Sequence, residues 1–254
     1  MTTTPHDRTT GYAGALQALK NAQKPSAGTA AYGRFVNRPM GRRFAAAGHV
    51  VGMTPNQATA ISATLSGAAI VLIAVVRPNA ALAVAVPILL AVGYVMDSVD
   101  GQLSRLRGGG SRSGEWLDHT IDCFKTCLLH LAVLISWYRW PVSDSDLVLL
   151  VPIAFEVAAV VTFFGLILVP TLRPTRNSGS TLRDTDVTEN PLRKYLMLPL
   201  DYGTVCWVFV LLAWPSVFAV AYTFLTVCAA VALALALRKW WHELRLLDAA
   251  TQEP

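Results

Sequence analysis

Long uncharged stretches alternate along this chain with short, charge-rich connections. Gln57–Val76 holds no charged residue and, as a helix rising about 1.5 Å per residue, matches a bilayer core of about 30 Å. Ala80–Met96 is apolar and runs into an acidic cluster, and Thr126–Trp140 is apolar and follows another. Leu147–Val169 is apolar apart from Glu156. Tyr202–Leu237 is uncharged throughout, and as one helix it would reach about 54 Å, too long for a single crossing. Trp214-Pro215-Ser216 is the natural turn inside it. The pattern predicts an all-α integral membrane protein with six transmembrane helices, the fifth drawing part of its thickness from its polar end at Pro199 and Asp201.

The connections carry the charge asymmetrically. Arg8, Lys20, Lys24, Arg34, Arg38, Arg42 and Arg43 precede the first span. Arg105, Arg107 and Arg112 lie between the second and third; Arg173, Arg176, Arg183, Arg193 and Lys194 between the fourth and fifth; Arg238, Lys239 and Arg245 after the sixth. The alternate connections hold only Arg77 and Arg139. Cytoplasmic loops are the ones enriched in Lys and Arg, so both termini are expected in the cytoplasm. Trp137, Trp140 and Trp214 then fall at outer ends, and Trp116, Trp240 and Trp241 at inner ends, as an aromatic belt would place them.

Tyr32–Val51 differs in kind, mixing Arg34, Arg38, Arg42 and Arg43 with Phe35, Val36, Met40 and Phe44. Arg34, Arg38 and Arg42 share one helical face. The preferred reading is an amphipathic helix in the headgroup plane, interrupted or kinked at Pro39; a solvated basic arm is the other. The expected organisation is a flexible cytoplasmic N-terminus (1–31), the interfacial helix (32–51), a six-helix catalytic domain (52–240) and a cytoplasmic tail (241–254). The loop 170–194 is expected to be mobile.

Composition agrees. The 254 residues are 54% hydrophobic and 15% charged, against about 25% charged in an ordinary soluble domain. That excludes a wholly water-exposed fold, and a mean hydropathy of +0.45 excludes a disordered chain. The net charge of +5 is interleaved with apolar runs and does not point to nucleic acid. Four cysteines without paired spacing make neither a disulfide framework nor a zinc site. The polar start, Met1–Arg8, has no apolar core of a signal peptide.

The chemistry concentrates in Met96–Asp122. Asp97 and Asp100 sit three residues apart at the end of the second span, about 60° apart on a helix. Asp118 and Asp122 sit four apart at the start of the third, about 40° apart. The glycine-rich connection between them makes the helices antiparallel neighbours, so four carboxylates can converge near the membrane surface. Such a set needs cations, and all-carboxylate ligation suits Mg²⁺ or Mn²⁺. Four carboxylates are enough for two ions, the usual apparatus for in-line displacement at phosphorus. Gly101 leaves room for a ligand beside the metals, Arg105 offers a bidentate grip on phosphate, and Gly108-Gly109-Gly110-Ser111 offers backbone N–H groups and a hydroxyl. Any one of these aspartates could be a solvated interface residue; the spaced set on two spans argues against that for all four.

The set closely resembles the signature of the CDP-alcohol phosphatidyltransferase family, D-x2-D-G-x2-A-R-x8-G-x3-D-x3-D. Asp97, Asp100, Gly101, Arg105, Gly114, Asp118 and Asp122 fall in register, with Ser104 where the pattern has alanine. Thr54-Pro55-Asn56-x-x-Thr59 resembles the family's short polar stretch that helps bind the CDP-linked donor. The resemblance implies two divalent cations (Mg²⁺ or Mn²⁺) on Asp97, Asp100, Asp118 and Asp122, with Asp122 also the general base. It implies donor contacts at Asn56, Thr59, Gly101, Ser104, Arg105, Ser111 and Gly114, and a homodimer. The implied reaction is transfer of a phosphatidyl group from CDP-diacylglycerol to a small polar alcohol, glycerol 3-phosphate or an inositol phosphate, with release of CMP. Another CDP-alcohol donor, or a lipid acceptor as in a cardiolipin-type synthase, keeps the same chemistry. A metal-binding transporter fits less well, because the acids gather at one surface.

Several side chains keep two readings. Lys125, one turn after Asp122, either pairs with the acidic site or meets an acceptor phosphate, or else snorkels to the interface. Glu156 either lines a polar cavity or is satisfied by another helix. His119 is expected beside the metal site rather than on it, and Cys123, Cys127, Ser62, Ser66 and Gly67 as packing residues. Arg193, Lys194 and Arg238 either face the cavity and bind an anionic acceptor or anchor helices at the lipid surface.

Overall fold

The computed structural model describes residues 11–21, 31–173 and 201–252. These residues are all-helical, with no strand among them. Helix α1 spans Gly11–Asn21, α2 Arg38–Val50, α3 Pro55–Val75, α4 Ala80–Leu106, α5 Arg112–Arg139 and α6 Leu150–Leu172. The short α7, Tyr202–Val208, tightens into a 3₁₀ turn at Phe209–Ala213, and α8 runs over Pro215–Gln252. Among the described residues, five helical stretches are long and apolar enough to cross a membrane: Pro55–Val75, Ala80–Leu106, Arg112–Arg139, Asp146–Leu172 and Pro215–Ala249. Tyr202–Ala213 is apolar but shorter, and the residues before Asp201 that were expected to extend it lie outside the described residues. So does most of the loop 170–194.

Helix ends follow their sequence signals. Thr54 and Gln57 form a capping box at the start of α3, each side chain accepting from the other's backbone N–H. Asn79 caps α4 and Ser111 caps α5 through side-chain oxygens. The break in the long apolar run falls at Trp214, with Pro215 opening α8, where its missing N–H costs nothing. Pro39 interrupts nothing: it sits in the first turn of α2. The preceding turn, Gly33–Asn37, widens to π geometry, the Arg38 N–H reaching back to the Gly33 carbonyl. Helical backbone thus enters α2 without needing a proline N–H.

Two segments are more ordered than the sequence predicts. Within 1–31, Gly11–Asn21 is helical, and its Ala15 and Leu19 are fully buried. Leu19 joins a small core with Ala45, Ala58, Met96, Val99 and Leu103, so α1 seals the end of α2, α3 and α4. At the other terminus, the segment 241–254 does not leave α8 as a separate tail: the helix continues to Gln252. Arg173 reaches Glu243 with two nitrogens, at 2.7 and 3.2 Å, and Trp240 lies over Gly165, joining the end of α6 to α8.

Helix α4 is the axis of the bundle, packed against α1, α2, α3 and the α7 segment. It approaches α3 closely because small residues face each other: the Ser62 hydroxyl donates to the Gly93 carbonyl at 2.8 Å, with Ser66 beside it. Helix α2 docks on α4 through Gly41, Ala45, Ala46 and Gly48, leaving Phe35 of the preceding π turn and its own Met40 and Phe44 exposed. A larger core of Trp137, Phe155, Phe209, Phe218 and Tyr222 fills the far end, where His130 Nδ1 and the Tyr222 hydroxyl lie 2.6 Å apart. The start of α7 is tied to the start of the π turn. The Asp201 carboxylate accepts from Gly33 N and from Gly203 N, both at 3.0 Å, and Trp207 Nε1 donates to the Tyr32 hydroxyl at 3.1 Å.

The α3–α4 seam tolerates no added volume. A Cβ at position 93 would lie 2.5 Å from Ser66 Oγ and 3.3 Å from the Ser62 carbonyl oxygen. Gly93→Ala is therefore expected to lower stability by about 1–3 kcal/mol, the usual cost of overpacking. Thermal unfolding in detergent measures it; an unchanged midpoint would contradict the close approach.

Candidate active site

Asp97 and Asp100 leave the last turns of α4, and Asp118 and Asp122 the first turns of α5. The connection is a tight reversal. Gly108 and Gly109 take φ of +85° and +131°, which L side chains rarely adopt. Arg107 braces it from below, donating through Nη2 to the carbonyls of Gly52 at 3.2 Å and Met53 at 2.8 Å. The α4–α5 connection is thereby fixed to the α2–α3 turn; α5 then packs against α3 and α6 and not along α4, so the two helices are not the side-by-side neighbours that the short connection suggests.

Asp97, Asp100 and Asp118 each bring an oxygen within 4.8 Å of the others. Asp100 is 6% exposed and held on both oxygens: Thr59 Oγ1 donates to one at 2.7 Å, and the Gly101 N–H to the other at 2.5 Å. Asp122 is not part of this trio. Its Oδ1 accepts from Lys125 Nζ at 2.9 Å; the same ammonium donates to Asp97 Oδ1 at 2.5 Å and to Ser62 Oγ at 3.0 Å. Lys125 is 9% exposed, so of its readings the pairing with the acidic site holds and the snorkelling one does not. Ser62, expected only to pack, both accepts from Lys125 and donates to Gly93.

A cavity of about 200 Å³ opens beside the trio, lined by Arg38, Asp97, Ser98, Asp100, Gly101, Gln102, Arg105 and Asp118. Carboxylates and guanidinium groups line it together. The buried Nε of Arg105 and Oε1 of Gln102 have no hydrogen-bond partner. An unsatisfied guanidinium N–H facing an acidic centre is the complement of a phosphate oxygen. The donor set of the trio is all-carboxylate, which fits Mg²⁺ or Mn²⁺ and not softer ions.

The other expected donor contacts are distributed around this cavity. Thr59 touches Asp100, and Gly101 and Arg105 line the cavity. Asn56 lies beside Gly114, and Ser104 beside Gly110. The Ser111 hydroxyl accepts from the Gly114 N–H at 3.0 Å, so it caps α5. Of the expected acceptor contacts, Arg238 is exposed on α8 and is not among the cavity-lining residues, while Arg193 and Lys194 lie outside the described residues. Neither Glu156 nor the exposed His119 lines the cavity. Arg38, Ser98 and Gln102 line the cavity without any mark in the sequence that sets them apart as site residues. The basic i, i+4 stripe of α2 marks Arg38 as interfacial, and only the docking of α2 on α4 turns it inward. A larger open groove at Val51, Gly52, Met53, Gln57, Ala60 and Ile61 has no ionisable side chain in its lining.

The Thr59 hydroxyl fixes the orientation of the Asp100 carboxylate, one of the three that could hold a cation. Thr59→Val removes that bond at nearly constant volume and is expected to weaken Mn²⁺ binding by about 10–100-fold. Titration followed by Mn²⁺ electron paramagnetic resonance measures it, and unchanged affinity would show that Asp100 needs no such support.

Residues 52–241 match the family model described as CDP-alcohol phosphatidyltransferase. Among solved structures, the chain is similar to Mycobacterium tuberculosis phosphatidylinositol phosphate synthase with CDP-DAG bound: 22% identity and a TM-score of 0.55, over 81% of this chain and 94% of that one. The same enzyme in complex with manganese and citrate gives 22% identity and a TM-score of 0.54, over 81% and 89%. No curated protein matches. The motif legible in Met96–Asp122 and the bundle that presents it have one common source: the chain belongs to the CDP-alcohol phosphatidyltransferase family.

Proposed function

We propose that this protein transfers the phosphatidyl group of CDP-diacylglycerol to a small hydroxylated acceptor and releases CMP. The observation that carries the reading is one cavity lined by both the Asp97–Asp100–Asp118 trio and Arg105, whose Nε is unpartnered. A similar fold is that of an enzyme with CDP-DAG bound. Asp97, Asp100 and Asp118 hold a divalent cation, which when bound offsets charge on the diphosphate and the leaving CMP. Arg105 grips the donor phosphate, and Gly101 keeps the wall beside it open. Asp122 receives the proton as the acceptor oxygen bonds to the phosphorus bearing the diacylglycerol and the bond to the CMP oxygen breaks. The family resemblance implies a second cation, for which Asp97 and Asp122 are the carboxylates to consider.

The acceptor is an anionic alcohol, glycerol 3-phosphate or an inositol phosphate. Arg38 on the cavity wall supports this, since it supplies a positive group beyond the Arg105 grip on the donor. In this reading the Tyr202–Ala213 segment is the fifth of six spans. Both termini and the site face the cytoplasm, following the Lys and Arg distribution. The exposed Phe35 of the π turn and Met40 and Phe44 of α2 rest in the headgroup layer of the cell membrane. Pairing into homodimers follows the family.

Three measurements test the reading. Purified protein with Mn²⁺ or Mg²⁺, labelled CDP-diacylglycerol and a panel of alcohols is expected to form lipid product and CMP with a phosphorylated alcohol. No product with any acceptor would overturn phosphatidyl transfer. Chelation with EDTA is expected to abolish turnover, and added Mn²⁺ or Mg²⁺ to restore it. Asp122→Asn is expected to cut kcat by about 10²–10⁴-fold with little change in thermal stability, the range for a lost general base. Wild-type CMP release from that variant would remove Asp122 from the proton transfer.

A further inference from the structure

Glu156 meets neither of the readings its sequence position allows. It does not line the cavity, and its Oε2 is buried without a hydrogen-bond partner. It stands in the apolar α6, where a bare carboxylate oxygen is costly. Two thiols lie beside it. We propose that Cys123, Cys127 and Glu156 form a binding site for a thiophilic divalent cation of the zinc class, between α5 and α6 and apart from the aspartate centre.

Three observations bring these ligands together. Cys123 and Cys127 are one helical turn apart on α5, about 40° around it, so both thiols leave one face. Both are free thiols. That face is turned toward α6. His130, the next turn along α5, stacks on Phe155 with ring centroids 4.0 Å apart, and this register sets Glu156 against Cys127. Cys127 accordingly lies within hydrogen-bonding range of both the Cys123 thiol and the Glu156 carboxylate. His130 itself is engaged elsewhere, its Nδ1 lying 2.6 Å from the Tyr222 hydroxyl.

The donor set selects the ion. Zinc takes thiolate sulfur at about 2.3 Å, so two thiolates on a tetrahedral ion stand about 3.8 Å apart. Thiols in hydrogen-bonding range of each other already have nearly that spacing. On binding, each thiol gives up its proton, and the Glu156 carboxylate gains the partner it lacks. Two sulfurs and a carboxylate fill three of four positions and leave the fourth to water. Sulfur disfavours the hard Mg²⁺ and Mn²⁺ that suit the aspartate trio, so the two sites take different ions. Asp122 precedes Cys123 but points about 100° away around α5. The sequence conceals the site because a C-x3-C pair is one ligand short, and the third comes from another helix.

A thiolate signal separates this site from the aspartates. The full chain in detergent, stripped of metal and held in excess Mg²⁺, is titrated with Cd²⁺, whose bonds to thiolate give an ultraviolet charge-transfer band that carboxylates do not produce. The wild type is expected to bind one Cd²⁺ per chain with that band, and Zn²⁺ to displace it. Cys127→Ser is expected to abolish the band, with Cys127→Ala as the second variant if the serine form does not fold. Glu156→Gln is expected to weaken binding by about 10–100-fold. Cys228→Ser, which removes a thiol outside the site, is expected to change neither. No band in the wild type, a band that survives both Cys127 variants, or an affinity indifferent to Glu156→Gln would overturn the proposal. None of these outcomes bears on phosphatidyl transfer, which uses none of the three residues.

Discussion

Carboxylates brought together inside a helical bundle repel one another, and the repulsion grows as water is removed. Asp97, Asp100 and Asp118 converge to within 4.8 Å, and Asp122 stands beside them. The surrounding architecture can be understood as what makes that convergence tolerable. Thr59 and the Gly101 N–H direct hydrogen bonds at Asp100, Lys125 brings a positive charge between Asp97 and Asp122, and Arg105 and Arg38 line the same cavity. Each of these groups is useful only at one place, and so the helices carrying them must be held in register.

The register is kept by small residues rather than by large ones. Gly93 and Ser62 let α3 approach α4 closely enough for Thr59 to reach Asp100 and for Ser62 to meet Lys125. Gly41, with Gln102 and Ser98 against it, does the same for α2. A Cβ there would come within 2.8 Å of both side chains. The aromatic core of Trp137, Phe155, Phe209, Phe218 and Tyr222 lies away from the carboxylates, at the other end of the bundle. Bulk apolar packing and the charged centre are thus spatially separated, and neither has to compromise its geometry for the other.

How much of this is legible in the sequence depends on whether a feature is local. The caps at Thr54, Asn79 and Ser111 are local features that are not singled out from the sequence; the equally local break at Trp214-Pro215 follows from proline chemistry within a few residues and reads correctly. The aspartate spacing does as well, because two helical faces and a short glycine connection leave the carboxylates few other places to go. What required the fold is contact between distant segments. Spacing puts Lys125 on the face of Asp122 but is silent on depth, which α3 supplies through Ser62. Arg38 reads as one of a basic stripe until the glycines of α2 meet α4. Ser111 reads as a phosphate contact, and the fold adds a second role, its oxygen accepting from the Gly114 N–H at the start of α5 while its own O–H stays available to donate. Gly11–Asn21 is too short and too weakly patterned to announce a helix, and owes its order to Leu19 finding a buried site among α2, α3 and α4.

The Asp201 carboxylate joins Gly33 to the start of α7 across 168 residues of chain. Every aspartate of the site, Lys125 and Arg105 lie inside the loop that this one contact closes. Closing so long a loop costs entropy that the contact alone does not return, so the joint forms after the intervening helices have packed. In the order of assembly it is a final fastening. The joint thus ties the entry to α2 and the start of α7 to each other, with the whole carboxylate centre enclosed between them along the chain.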